Sequence, residues 1–338
     1  MKNLLTDIAG VRVGHAHDAT LASGVTAILF DKPAVASLDI RGGGPGTRDS
    51  ALLDPVNTVD GIDGIALAGG SAFGLDAAGG VQARFAEIGR GFAIGPARVP
   101  IVPGAILFDL LNGGDKAWGR YPPYRELGYA AAAAASAGAF ALGTVGAGTG
   151  CSVSGPRGGA LKGGLGSASA VLPSGVTIGA VVAVNALGAA TIGDGPQFWA
   201  AAFEEEGEFG GLGWPSPIPP EARRPRTKFG AVSSLANTTI GLVATDAVLT
   251  KAEARRLAVM AHDGFARALW PSHTPYDGDT IFTLSTGRRP LGDAPTDFLE
   301  LGAAAAAVMA RAVARGVYAA TPAEGDPWPT WGQAFGGR

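Results

Sequence analysis

GVTIGAVVAVNALG, residues 175–188, decides the fold. It carries no charged residue, and its small and β-branched side chains follow neither the 3.6-residue period of an amphipathic helix nor the strict alternation of a strand wet on one face. Such a run is a strand covered on both faces. VTAILF (25–30), DGIALA (63–68) and TTIGLVATDA (238–247) have the same texture. Glycine-dense stretches separate them: RGGGPGTR (41–48), LAGGSAFGL (67–75), GTVGAGTG (143–150), GPRGGALKGGLGSAS (155–169) and GDGPQ (193–197). Glycine where strand meets loop permits close backbone approach. The layout is α/β, a central buried sheet with helices between its strands.

Helical signals occupy residues 71–89, 125–139 and 299–315, each alanine-rich and of helical length. The sharpest is 251–270. Thr250 and Glu253 form a T-x-x-E capping box, Leu257, Ala261, Phe265 and Leu269 recur every four residues, and Pro271 ends it. One composition break, EEEGEFGGLGWPSPIPPEARRPRTK (204–228), reads as an exposed surface linker. The residues beyond it supply too few elements for a second core. A single domain over 1–338 is therefore expected.

Composition removes several classes of function. Charged residues are 16% of 338 and the net charge is −3, without a basic block, so no nucleic-acid partner is expected. One cysteine, Cys151, excludes an internal disulfide and a thiolate zinc cage. The start, MKNLLTDIAG, lacks the apolar run of a secretory signal, and no stretch is long and apolar enough to span a membrane. The expected compartment is the cytoplasm.

Familiar catalytic patterns fail in turn. GGSAFG misses the G-x-S-x-G elbow because Phe73 stands at the second glycine position, and Lys162, between Leu161 and Gly163, misses the Walker pattern. His15, His17, His262 and His273 supply no third ligand in register, so they read as hydrogen-bonding histidines and no metal or cofactor is expected. Cys151 reads as a small buried hydrophobe. What remains is Asn237-Thr238, in AVSSLANTTIGLVATDA (231–247), where small polar residues run into a buried strand. A threonine there is ordinarily a structural strand residue.

The surrounding motifs change that reading. DIAGVRVGHAHD (7–18), RGGGPGTRDSALL (41–53), GIALAGGSAFGLDAAGGV (64–81), GAGTGCSVSGPRGGALKGGLGSAS, VVAVNALG (181–188), LANTTIGLVATDA (235–247) and TPYDGDTIF (274–282) make the chain resemble the DmpA-type (S58) aminopeptidases, β-aminopeptidases and nylon-oligomer endohydrolases. The resemblance implies a four-layer αββα sandwich and self-cleavage at Asn237-Thr238. An α chain, 1–237, and a β chain, 238–338, would assemble as homo-oligomers, commonly tetramers. Physical chemistry supplies the motive: a threonine hydroxyl needs an adjacent base, and its own freed α-amine, titrating at about 7.7–8.0, is one.

Other positions match the family pattern. Lys162, one of six lysines, suits holding a substrate carbonyl or, once desolvated, helping to activate Thr238; otherwise it is a solvated loop lysine. Asn185 interrupts an apolar run and suits donation to an oxyanion, or else stabilises a bulge. Asp277 and Asp279, two apart in an extended segment, would face one site and orient the Thr238 ammonium or Lys162; alone they would read as an Asp-Gly turn. The aminopeptidase branch carries Ser-x-Glu and a serine nucleophile there. Asp-x-Asp with Thr238 resembles the nylon-oligomer branch. The expected substrates are linear aliphatic amides such as 6-aminohexanoate oligomers, the alternatives being β- or D-amino-acid derivatives, acyl transfer of the ornithine acetyltransferase kind, or a non-enzymatic paralogue that never processes.

Overall fold

The computed structural model describes residues 1–228 and 237–336, so that AVSSLA (231–236), the approach to the Thr238 strand, lies outside the described residues. One nine-stranded sheet organises the described part. Its path runs Gly164–Val171, Thr177–Asn185, Thr238–Ala247, Thr280–Arg289, Ser23–Ile40, Ile62–Ala68, Gly104–Ile106 and Thr47–Arg48, with Val11–Asp18 paired to Ser23–Ile40.

The long Ser23–Ile40 strand belongs to two halves. Its first part pairs with Val11–Asp18 and Ile62–Ala68, its last part pairs antiparallel with Thr280–Arg289, and the register slips between Leu29 and Ala34. The halves face each other. Ile28, Phe30, Ile65 and Leu67 from one pack with Val181, Ala183, Ile240, Leu242, Phe282 and Leu284 from the other in one buried cluster. Side chains one position along point the opposite way, as strand geometry demands. Val25, Ala27, Ala66 and Ala68 therefore pack in a second cluster that also holds Ala77 and Val81 of the Ala77–Glu87 helix and Ala131 of the Tyr124–Ala133 helix. Val182, Val184 and Val243 join a third with the Lys251–Ala268 and Ala294–Tyr318 helices. Helices, sheet, sheet and helices make the four-layer αββα sandwich.

The Lys251–Ala268 helix carries the expected reciprocal cap, Thr250 Oγ1 accepting from Glu253 N at 3.2 Å and Glu253 Oε2 from Thr250 N at 2.7 Å. Three boundaries differ from expectation. Residues 71–76 form a 3-10 turn before the Ala77–Glu87 helix, the second helix stops at Ala133, and the last spans Ala294–Tyr318. The 204–228 stretch is mostly exposed but anchored. Phe209 is buried in the third cluster, Ala222 and Lys228 are buried, and Glu208 accepts from Arg311 and Asn3.

Candidate functional site

Thr238 is the first residue of its strand and lies directly opposite Asn185. On the other side Asn237 bridges to Asp277 in parallel register. These pairings press three segments into one place: Asn237 N donates to Tyr276 O at 3.1 Å, and Gly278 N donates to Asn237 O at 2.8 Å. The Thr238 hydroxyl donates to that same Asn237 carbonyl oxygen at 2.5 Å, and both residues are buried. Among the described residues, neither polar atom of the Asn237 amide has a hydrogen-bond partner. A buried amide left so costs about 1–3 kcal/mol per group, a burden that sits on the residue preceding Thr238.

Gly278 fills the remaining side. A Cβ built on it would lie 2.7 Å from Thr238 Oγ1 and 2.7 Å from Gly44 O, so only glycine fits between the hydroxyl and the 41–46 loop. That loop is stitched in place by Arg41 N to Asp279 O at 2.9 Å and Gly44 N to Asp277 O at 2.8 Å.

The two aspartates are both buried and both pinned by donors. Asp277 accepts from Leu187 N at 3.2 Å, Thr274 N at 3.0 Å and Thr274 Oγ1 at 2.6 Å. Burial, then the charge of Asp279, raises its carboxyl above the ordinary carboxylate range. Asp279 accepts from Thr239 N at 2.9 Å and His273 N at 3.0 Å, and His273 Nδ1 lies 2.8 Å from it. The pair thus ties the loop before the Thr280–Arg289 strand to the residues flanking Thr238. His273, read from sequence only as a hydrogen-bonding histidine, belongs to this cluster; the one signal of its place there is its position six residues before Asp279.

Asn185 meets a second unexpected neighbour. Its Oδ1 accepts from Ser152 N at 3.0 Å and from Lys228 Nζ at 3.1 Å, while its Nδ2 donates to Phe108 O at 2.8 Å. Lys228 Nζ also reaches Ser152 O at 2.9 Å and Ser152 Oγ at 3.0 Å. Burial pulls this ammonium down to about 7, with the charge of Asp277 acting in the opposite sense. Lys162 lies across a short hairpin from Ser152, and its ammonium is 2.7 Å from both oxygens of Asp326 on the C-terminal tail. The lysine on Asn185 is therefore Lys228, from the end of the stretch read as a linker. No sequence motif marked it.

The remaining sequence candidates are accounted for simply. Cys151 is buried, its thiol donates to Ala147 O, and burial pushes its pKa up. His262 Nε2 lies 3.0 Å from Asp39 O. Among the described residues no group of His, Cys, Asp or Glu is placed to hold a metal ion, and no helix is long and apolar enough to cross a membrane.

The site therefore sets a buried hydroxyl against the carbonyl of the preceding residue, at the start of a strand in an αββα sandwich. The structure is similar to a Burkholderia sp. β-aminopeptidase, with a TM-score of 0.69 at 22% identity over 99% of this chain and 92% of that one. It is likewise similar to the L-aminopeptidase D-Ala-esterase/amidase of Ochrobactrum anthropi, described as a variant of the Ntn-hydrolase fold, with a TM-score of 0.67 at 20% identity over 97% and 89%. These likenesses give the fold. The family model of peptidase family S58 matches residues 3–327, and the chain belongs to that family of amide-bond hydrolases. A protein of Mycobacterium tuberculosis named as an uncharacterized aminopeptidase is 44% identical over 96% of both chains. The 6-aminohexanoate-oligomer endohydrolase of Kocuria sp. is 28% identical over 92% of this chain and 85% of its own.

Proposed function

We propose that the protein is an amide hydrolase that makes its own nucleophile by cutting the Asn237–Thr238 bond. The observation that carries this reading is the shared grip on one carbonyl: Asn237 O takes hydrogen bonds from both Thr238 Oγ1, at 2.5 Å, and Gly278 N, at 2.8 Å. Attack of Oγ1 on the Asn237 carbonyl carbon gives an oxyanion already facing the Gly278 N–H. Collapse breaks the C–N bond, moves the acyl group onto Oγ1 and passes the hydroxyl proton to the departing nitrogen, which becomes the free Thr238 amine. Water then hydrolyses the ester, leaving a carboxylate at Asn237 and a threonine whose amine is the base beside its hydroxyl. Holding the two groups together in a buried site supplies the intramolecular advantage, which reaches about 7–11 kcal/mol in well-oriented systems.

Turnover repeats the chemistry on an external amide. Thr238 Oγ1 attacks, the second N–H of Asn185 Nδ2 donates to the oxyanion, the amine leaves with a proton from the Thr238 ammonium, and water frees the acid. Asp277 and Asp279 hold the flanking backbone rather than the reacting atoms. The substrate class is short linear amides. Asp277-x-Asp279 with a threonine favours 6-aminohexanoate oligomers, whereas 44% identity to a protein named as an aminopeptidase favours release of an amino-terminal residue.

The test is intact-mass analysis of freshly purified wild type and Thr238→Ala. Wild type should resolve into 1–237 and 238–338, and the variant should remain one chain without activity on a linear 6-aminohexanoate dimer or L-amino-acid p-nitroanilides. Full activity in an unbroken wild-type chain, or in Thr238→Ala, contradicts the proposal.

A further inference from the structure

Asn185 can serve an oxyanion only if its amide faces the right way, and an asparagine amide turned over presents oxygen where a donor is needed. The groups around Oδ1 settle the orientation. Ser152 N, at 3.0 Å, can only donate and so requires oxygen at that end, and Lys228 Nζ, at 3.1 Å, keeps N–H groups to donate there in either protonation state. At the other end Phe108 O, at 2.8 Å, accepts only N–H. One N–H of Nδ2 is thereby used, and among the described residues the second has no acceptor and is left for a ligand. Of the two donors on Oδ1, Ser152 N is backbone fixed by the Ser152–Ser154 strand. Lys228 is a side chain, and where it is protonated, below about 7, its charge makes the bond the stronger kind.

We propose that Lys228 is a positioning residue for Asn185: its Nζ, donating to Oδ1, locks the asparagine amide so that Nδ2 donates to the acyl oxygen of an external substrate at Thr238. The inference rests on the function proposed above. It gives the 204–228 stretch a second task besides joining the core to the Asn237–Thr238 bond: delivering a buried amino group to Asn185. Self-cleavage does not depend on this lock, because Asn237 O is held by Gly278 N and the Thr238 hydroxyl.

The test is a double-mutant cycle on the full chain with Lys228→Met, Lys228→Gln, Asn185→Ala and the double variant Asn185→Ala/Lys228→Met. Self-cleavage is read by intact mass, and turnover by L-amino-acid p-nitroanilides and a linear 6-aminohexanoate dimer. Lys228→Met should cleave itself like wild type, lose about 10²-fold in kcat and keep its KM, since the lost interaction forms in the transition state. Lys228→Gln, which donates a neutral N–H, should recover part of that loss. In the Asn185→Ala background Lys228→Met should cost nothing further, a result that a general loss of packing cannot produce. Additive losses, a change confined to KM, or a folded Lys228→Met chain that stays unbroken would each overturn the inference. Wild type that remains unbroken yet active, or that is inert towards both probes, instead removes the proposed function on which it rests.

Discussion

Replacing Gly278 by alanine tests whether the geometry around Thr238 is what drives self-cleavage. The added Cβ would lie 2.7 Å from Thr238 Oγ1 and 2.7 Å from Gly44 O, where ordinary contact begins at 3.4 Å. Retreat into the loop is blocked by Gly44 N on Asp277 O at 2.8 Å, so the hydroxyl must give way by about 0.7 Å, the shortfall in contact distance. A misplacement of about 1 Å at a reacting group costs about 10²-fold, so cleavage should slow by about 10- to 100-fold. Overpacking should also destabilise the fold by about 1–3 kcal/mol. The assay follows loss of full-length chain on a denaturing gel after cell-free synthesis, beside a melting curve of the purified protein. Thr250→Ala is the control, because it removes a helix cap remote in sequence from the site and should lower stability without slowing cleavage. Gly278→Ala cleaving with the wild-type half-time, or Thr250→Ala slowing as much, would refute the reasoning.

The pH dependence of stability should carry the signature of Lys228. Its folded value is depressed from 10.5 to about 7, so between those values the unfolded chain binds a proton that the folded chain has released. The stabilising contribution is therefore full above about 10.5, falls as pH drops towards 7 and is lost below it. The slope reaches about 1.4 kcal/mol per pH unit where the difference is one whole proton. Urea midpoints of wild type and Lys228→Met from pH 6 to 10 should diverge accordingly, and parallel curves would show that the ammonium is not held as the structure has it. The cap has its own expected cost: Thr250→Ala should lose about 1 kcal/mol, or about 2–4 °C in Tm, by calorimetry.

The strands with branched side chains were legible because burial on both faces leaves a compositional trace. Residues 238–247 and 177–185 fall inside the stretches singled out from sequence. Gly164–Val171 left no such trace, having been read as part of a glycine-rich cluster. The reason is steric. A Cβ on Gly166 would lie 1.8 Å from Ala312 O, so the Ala294–Tyr318 helix rests against this strand's backbone and the side chains that usually announce a strand are excluded. Close helix–sheet packing erased the signal on which strand reading depends.

At the site the same contrast separates what a motif carries from what a fold brings together. Asn185, Asp277, Asp279 and Thr238 were visible because a polar residue in an apolar run needs an explanation wherever the chain goes. Lys228 was not, since it ends a charged, proline-rich stretch where a lysine calls for none. Only the register of Thr238 opposite Asn185, and the hairpin that sets Ser152 beside it, gives that cation a buried acceptor. Lys162 fits a motif, yet the tail residue Asp326 holds its ammonium with both oxygens at 2.7 Å. For Lys162 to act on a substrate carbonyl, that carboxylate must first be displaced. Lys228 already lies against Asn185, its Nζ 3.1 Å from Oδ1, and the proposed positioning role rests on that contact.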